Sequence, residues 1–329
     1  MEISAHYQFR IRLHPLAGYV LRRLAVGAAL VAVLSTLVFA ATHSLGDPAG
    51  AILGPHAPPA LKQQVRKELG LDRPLLTQYR DWLTSFARGD FGRSLASGRA
   101  VSEYLGSPVK NTLELALATL AVVVPLSLLL GVWTGIRPNS LLDQVVSGLT
   151  LGAIALPEFV IGALLALCFA VVLGLFPPVS LIPPGSNPLA HPDLLALPVA
   201  TLTLTSLACL VRMVRAGVIE VMGSEYVQMA RLNGLSERRV IWRHGLPNAL
   251  ATAVQSLALT IQWLVGGVAI VETVFAYPGF GQAMVGAVHQ RDITVLQAGI
   301  LLVAVFLITI NVVADVLVIF LVPKLRTTR

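Results

Sequence analysis

The sequence predicts an all-α integral membrane protein with about six transmembrane helices, and three observations carry that prediction. Hydrophobic residues make up 55% of the chain and charged residues only 12%, against about 25% charged in a typical soluble domain. The apolar residues fall in runs near or above the ~20 residues that a helix needs to cross a bilayer. The 24 Lys and Arg residues gather mostly in the segments between those runs, which is the pattern of membrane topology. The net charge of +7 does not point to nucleic acid, because the basic residues are dispersed and lack an aromatic stacking surface.

Taken in order, the chain starts with a short basic segment, 1–23, that carries Arg10, Arg12, Arg22 and Arg23. The apolar run 24–41 is the first expected span. A cleavable signal peptide is its rival reading, since Val38 and Ala40 fit a small-residue cleavage pattern. Residues 42–110 form the one long polar region, expected as an external insertion. Within it Pro59 and Gly70 bracket a short helix, and Asp72 is placed to cap another that starts at Pro74. On that second helix Leu75, Leu76, Tyr79, Leu83 and Phe86 share a face flanked by Trp82. Such a face suits the membrane surface or packing against the spans. Gly89–Gly92 reads as an ordinary turn.

Residues 111–322 are the expected membrane domain. Its spans are 111–136, interrupted by Pro125; 141–175, where Pro157 can kink the helix; 193–213; 250–274; and 293–322. A loop rich in Pro, Gly and Ser, without Lys or Arg, separates the third span from the fourth. A basic tail, 323–329, carries Lys324, Arg326 and Arg329. The short loops set the orientation through their Lys and Arg. The amino-terminal segment, the turn at Arg137, the loop 212–243 and the tail hold nearly all of these residues. The loop 175–193 has none and 275–292 has only Arg291. Both termini and the 225–247 segment are therefore expected on the cytoplasmic side. The insertion exceeds the loop length over which the rule is counted and has little weight.

Signatures of catalysis are missing. No Gly is followed by Lys, so there is no G-x-x-x-x-G-K-[ST] phosphate loop, and no HExxH, CxxC or serine-elbow pattern occurs. Cys168 and Cys209 both lie in apolar runs, which gives neither a disulfide framework nor a metal knuckle. His43, His56, His191 and His289 are scattered, and the chain is expected to bind no metal or cofactor of its own. Ionisable groups in or beside spans are costly in hydrocarbon and face a partner or a cavity. Glu114 and Glu272 sit near span ends, where a helix-terminal role is ordinary. Glu158 follows Pro157, so a kink there would turn its carboxylate toward a path between the spans and a cationic group. Asp315 lies one turn after Asn311 on the same helix face, a placement that suits an interhelical contact. Glu158, Glu272 and Asp315 are the candidates to line such a path.

The most informative stretch is 225–247, EYVQMARLNGLSERRVIWRHGLP, which is polar, basic and helix-prone between two apolar runs. Val227, Ala230 and Leu232 have helix-like spacing. Gly234 supplies a stop, because Gly takes the left-handed conformation that ends a helix. Ser236 can cap a second short helix that runs from Arg239 to His244. A helix–Gly–helix element between two spans is shaped to be held by something outside the membrane.

This segment resembles the coupling loop, or EAA loop, of permease subunits in binding-protein-dependent ABC importers. The pattern of that loop is E-A-A, three residues, G, nine residues, then I-x-L-P. Gly234 stands at the glycine, Leu246 and Pro247 at the final pair, and Ala230 at the second alanine; Gln228, Met229 and His244 depart from the general pattern. The words ARLNGL and RHGLPNAL resemble the dipeptide, oligopeptide and nickel branch, as do LGDP at 45–48, LGLDRPLLTQYRDWL, GDFGRSL and VETVFAYPGFGQ at 271–282. The resemblance runs from about Tyr19 to Arg326. It implies a permease for peptides, retention of the first span, a second related permease, two cytoplasmic ATPases that carry ATP and Mg, and an external solute-binding protein. It further implies that the helix 228–234, within a loop spanning 217–249, sits in a groove on an ATPase. Gly234 would then be a hinge or stop, Ala230 would allow close approach, and Arg231, Arg238 and Arg239 would pair with acidic groups. Gln228, Met229, His244, Leu246 and Pro247 complete that contact. A nickel or metal-chelate importer of the same family is the alternative. A self-sufficient secondary transporter would want charged relay residues in the spans, where they are sparse. A membrane-anchored scaffold would want a recognisable site in the insertion.

Overall fold

The computed structural model describes residues 15–44, 50, 53, 57–68, 70–183 and 185–321. It leaves out the side chains of 15–17, 19–20, 43–44, 68, 250–255, 258, 314–315 and 317–321. Expectations placed on 1–14, 45–48 and 322–329 lie outside the described residues. The regular elements among those described are helices: α1 (Pro15–Ser44), α2 (Pro59–Glu68), α3 (Leu75–Ala87), α4 (Val101–Ile136), α5 (Leu141–Ala155), α6 (Glu158–Leu165), α7 (Pro192–Met222), α8 (Glu225–Leu232), α9 (Leu246–Val274), α10 (Phe280–His289) and α11 (Ile293–Leu321). Among the described residues four helices are long and apolar enough to cross a membrane, and five if the bent pair α5–α6 is one span. The expected fifth span falls in α9, whose segment Leu259–Val274 is apolar on the whole but shorter than a full span.

The centre of the fold is the pair α4 and α7, which share the most extensive interface, with α9 packed against α7. Lipid is as apolar as Leu, so such pairs are held by close packing, not by expulsion of water. Gly131 and Gly135 of α4 provide it. A β-carbon at either position would lie 2.7 or 2.6 Å from Cβ of Val214 or Val218 on α7. α4 is 36 residues long, about 54 Å at 1.5 Å per residue. It starts ten residues before the expected span and runs through Pro108 and Pro125 without a break, so Pro125 does not interrupt it. Pro157 does break its span. Leu156 takes an extended conformation, φ −97° and ψ 133°, as the residue before a proline favours. α5 and α6 then meet at 107°.

α1 packs along α11, with Gly27 against Ile308 and Gln297 donating to the Thr42 hydroxyl at 2.6 Å. α3 lies on α1 through Tyr79 and Trp82, whose rings meet Phe39 at 5.5 and 5.8 Å, and Tyr79 hydrogen-bonds Ser35 at 2.8 Å. The expected apolar face of α3 is only partly used, because Leu76 is 78% exposed. Its amino-terminal cap position is Pro74, without a side-chain cap. Asp72 stands too far upstream, and Gln78 instead donates to the Leu71 and Arg73 carbonyls.

The loop after α6 folds back on the bundle. Ser180 donates its N–H to the Phe275 carbonyl at 2.7 Å and its hydroxyl to the Leu194 carbonyl at 2.6 Å. Ile182 enters a core with Leu115, Leu202, Val271, Phe275 and Tyr277. Large apolar side chains stay exposed along α1, α4 and α5, among them Leu37, Leu117, Leu129 and Leu149. A belt of that extent is a liability in water and ordinary in lipid.

Candidate functional site

The segment between α7 and α9 is a compact cap. α8 ends in a left-handed stop: Gly234 has φ +76°, its N–H bonds the Arg231 carbonyl at 2.9 Å, and the Leu235 N–H bonds the Ala230 carbonyl at 3.3 Å. This is the double bond pattern of a Schellman end. Ser236 then holds the amino-terminal cap position of one turn, Glu237–Arg239, without a side-chain bond. A π-helical stretch, Val240–Gly245, continues directly into α9. Val227, Ala230 and Val240 are buried together, with Leu235 and with Val221 and Met222 from the end of α7 packed on them. Gly245 lets Met222 close in, since a β-carbon there would sit 2.6 Å from the Met222 sulfur.

This geometry sorts the residues of the loop. Val227 and Ala230 point inward, whereas Leu232 is 80% exposed. The outward surface of α8 carries Tyr226, Met229 and Leu232 among the exposed Glu225, Gln228 and Arg231, and Trp242 joins them at 68% exposure. Ala230 is 7% exposed, which corrects its expected role as a point of close approach for another protein. Arg231 makes a bidentate pair with Glu237 at 2.8 and 3.1 Å and reaches the Met222 carbonyl. Its charge is thus engaged inside the loop on a side chain that stays 39% exposed. The Arg231 bonds hold the Glu237 carboxyl below its ordinary value, and Glu237 raises Arg231 in turn. Gln228 folds back to the Gly223 carbonyl at 3.1 Å. Arg238 and Arg239 are exposed, as is Pro247, whereas His244 is half-buried and Leu246 is buried. Asn248 ties the start of α9 to the Tyr226 hydroxyl at 3.0 Å.

The candidate path residues separate clearly. Glu272 is fully buried. One oxygen accepts from Thr112 at 2.5 Å, and the other accepts from the Gly281 and Gln282 N–H groups at 2.7 and 3.1 Å. Those two N–H groups are unpaired donors of the first turn of α10, so Glu272 caps α10 on α9. Gly279 leaves room for the carboxylate, which any β-carbon there would strike. This corrects its expected place on a path, because the carboxylate presents no open face. Around it Tyr277 donates to the Asn111 carbonyl and Asn111 to the Pro278 carbonyl, both at 2.8 Å. The 275–279 turn is therefore anchored on α4.

Glu158 behaves differently. It stands in the first turn of α6 and lines a cleft of about 270 Å³ between α6, α7 and α9. Its Oε2 is buried without a hydrogen-bond partner. The Asp315 side chain lies outside the described residues, but Asn311 one turn earlier accepts from Gln262 of α9 at 2.9 Å. Among the described residues no group of three or more His, Cys, Asp or Glu is placed to hold a metal ion.

Two buried acids escaped the sequence reading. Asp143 at the start of α5 pairs with Arg215 of α7 at 2.5 and 2.8 Å. Asp292 accepts from Ser94 at 2.5 Å, from the Leu95 and Ala96 N–H groups, and from its own Val295 N–H. It therefore ties the GDFGRSL turn to the start of α11.

Comparison with known proteins identifies the family. The family of binding-protein-dependent transport system inner membrane components matches residues 127–327, and its N-terminal counterpart matches residues 16–130. The glutathione transport system permease protein GsiC of Escherichia coli (strain K12) is 35% identical over 310 residues, 94% of this chain and 99% of that protein. A protein of Brucella abortus (strain 2308) that bears a peptide transport system permease name is 32% identical over 312 residues, again 94% and 99% of the two chains. Among solved structures, a chain from the MetNI methionine ABC transporter in inward-facing conformations aligns with TM-score 0.48 and 21% identity. It covers 68% of this chain and 94% of that chain.

Proposed function

The chain belongs to the inner membrane components of binding-protein-dependent transport systems, and from that premise we propose that it forms half of a peptide translocation pathway. ATP hydrolysis on partner subunits drives it through the 225–247 segment. The observation that carries this reading is the outward face of α8. Tyr226, Met229 and Leu232 project from a helix whose other face is locked to the bundle, with Trp242 beside them. An apolar surface of this kind on a rigid, basic loop suits a groove on a second protein better than water. Arg238 and Arg239 supply the charge at its rim.

In the proposed assembly the loop and both termini face the cytoplasm. A second permease completes the pathway, two ATPases bring ATP and Mg, and an external solute-binding protein delivers cargo. The chain itself binds no cofactor. The peptide cargo is supported by the names of the relatives.

Uptake in cells lacking this gene tests the reading, with labelled dipeptide, pentapeptide and nickel compared. Peptide uptake should be lost, then restored by the wild-type gene but not by Leu232→Asp with normal membrane insertion. Intact peptide uptake together with lost nickel uptake would transfer the assignment to a metal-chelate cargo.

A further inference from the structure

The cleft at Glu158 has a composition that the proposed coupling role leaves unexplained. Glu158 brings a carboxylate with one buried, unpartnered oxygen. Gly267 of α9 makes the room for it: a β-carbon at that position would lie 2.5 Å from Oε2. On the other walls Thr205 and Thr260 donate their hydroxyl protons to carbonyls of their own helices, so only their lone pairs are left to face a ligand. Trp263 stands at the mouth, 75% exposed, and Cys209 lines the α7 side. No Lys, Arg or His lines the cleft. Ser206 adds a hydroxyl that can donate or accept. The wall thus offers a carboxylate, hydroxyl lone pairs and an indole ring, and no positive charge.

From this we propose that the Glu158 cleft is a binding subsite for a primary ammonium group carried by the cargo. The ammonium donates to Glu158, where a charge-assisted bond is strongest away from water, and lies near the Trp263 ring, whose face attracts cations. A peptide offers this group at its amino terminus or on a lysine side chain. The identification of the ligand rests on the peptide reading above, whereas the cation chemistry of the cleft does not.

Cys209 provides a direct readout, because it is exposed within the cleft. The complete importer in membrane vesicles, carrying Cys168→Ser to silence the other thiol, is labelled with a maleimide. L-alanyl-L-alanine should slow labelling of Cys209, and N-acetyl-L-alanyl-L-alanine should not. N-acetyl-L-lysine tests the side-chain source: protection by it places the lysine ammonium in the same subsite. Glu158→Gln should raise the concentration for half-protection about tenfold, equivalent to about 1.4 kcal/mol. Gly267→Ala keeps the charge but displaces the carboxylate and should act in the same direction. Equal protection by the free and acetylated dipeptides, protection unchanged in both variants, or a Cys209 that never labels would each overturn the subsite. Dipeptide uptake measured in parallel separates the two readings: uptake without protection removes the subsite and leaves the importer, and absence of uptake removes the peptide importer.

Discussion

Replacing Gly234 isolates the backbone from everything else in the loop. Gly234 sits at φ +76°, and a β-carbon there would meet nothing within 4 Å. Gly234→Ala therefore adds no collision, and its whole cost is the left-handed conformation, about 1–2 kcal/mol for a residue with a β-carbon. That cost should loosen the Schellman end by a factor of about 5–30. Gly234→Asn should fall below it, since Asn tolerates this region. Gly234→Pro should exceed both, because proline fixes φ near −65° and lacks the N–H that bonds the Arg231 carbonyl. Hydrogen exchange on peptides covering 225–240 measures the opening directly. The order of protection should be Gly, Asn, Ala, Pro, and ATP-driven uptake should follow it at constant protein in the membrane. Wild-type uptake by Gly234→Pro would refute the coupling assignment. Equal exchange in all four proteins would refute the cap itself.

Three further outcomes follow from the buried acids and the loop pair. Asp143→Asn leaves the partly exposed Arg215 guanidinium with one neutral acceptor in place of a bidentate carboxylate and should cost about 1.5–3 kcal/mol, read as a lower thermal midpoint in detergent. Arg215→Lys keeps the charge and should incur a smaller loss, because an ammonium cannot form the bidentate pair; full stability of both variants would show the pair to be dispensable. Asp292→Asn puts an amide against donors on Ser94, Leu95 and Ala96 and should cost about 3 kcal/mol, with early protease cleavage in 89–99 as its local sign. For Glu237, the folded carboxyl lies below its ordinary value. Its contribution is present above the unfolded value of about 4.3 and is lost as pH falls through the lower folded one. Exchange protection of 231–237 should therefore drop only in acid. Glu237→Gln should abolish that pH dependence at under about 1 kcal/mol, as befits an exposed pair.

Most of the bundle was legible because membrane helices announce themselves as apolar runs, and Pro157 was legible as a bend because proline constrains the residue before it. What escaped were features that depend on a distant partner. The GVWTG word at 131–135 is a close-packing motif on its face, but only the position of Val214 and Val218 shows which helix it meets. Asp143, Asp292 and Glu272 each satisfy donors far away in the chain, Ser94 and Asp292 being 198 residues apart, and no local pattern encodes that. Within the loop, the helix-like spacing of Val227, Ala230 and Leu232 gave the helix, but not that Val227 and Ala230 face inward while Leu232 faces out. Tyr226, Met229 and Leu232 recur every three residues, and that stripe was the readable signal for a second, outward face.

The packing also indicates how a push on α8 would reach the cleft. Val221 and Met222 at the end of α7 belong to two clusters at once. One holds Val227, Ala230 and Val240 of the loop, and the other holds Val123, Val214, Val218, Leu246 and Ala249 of α4, α7 and α9. Close-packed interiors do not deform smoothly, so α8 cannot shift far without carrying α7 and the start of α9 with it. Those two helices supply Thr205 and Cys209 on one wall of the Glu158 cleft, and Thr260 and Trp263 on the other. From Val221 to Cys209 is twelve residues of unbroken helix, a rigid arm of about 18 Å. α6 carries Glu158 itself, meets α5 at the 107° break, and packs through Gly162 on Thr201 of α7 and Phe275 beyond α9, well away from the α8 end of that arm. A displacement imposed at α8 would thus move Thr205 and Thr260 relative to the Glu158 carboxylate and change the width of the cleft. On the proposed function, this is the motion that would release an ammonium held there.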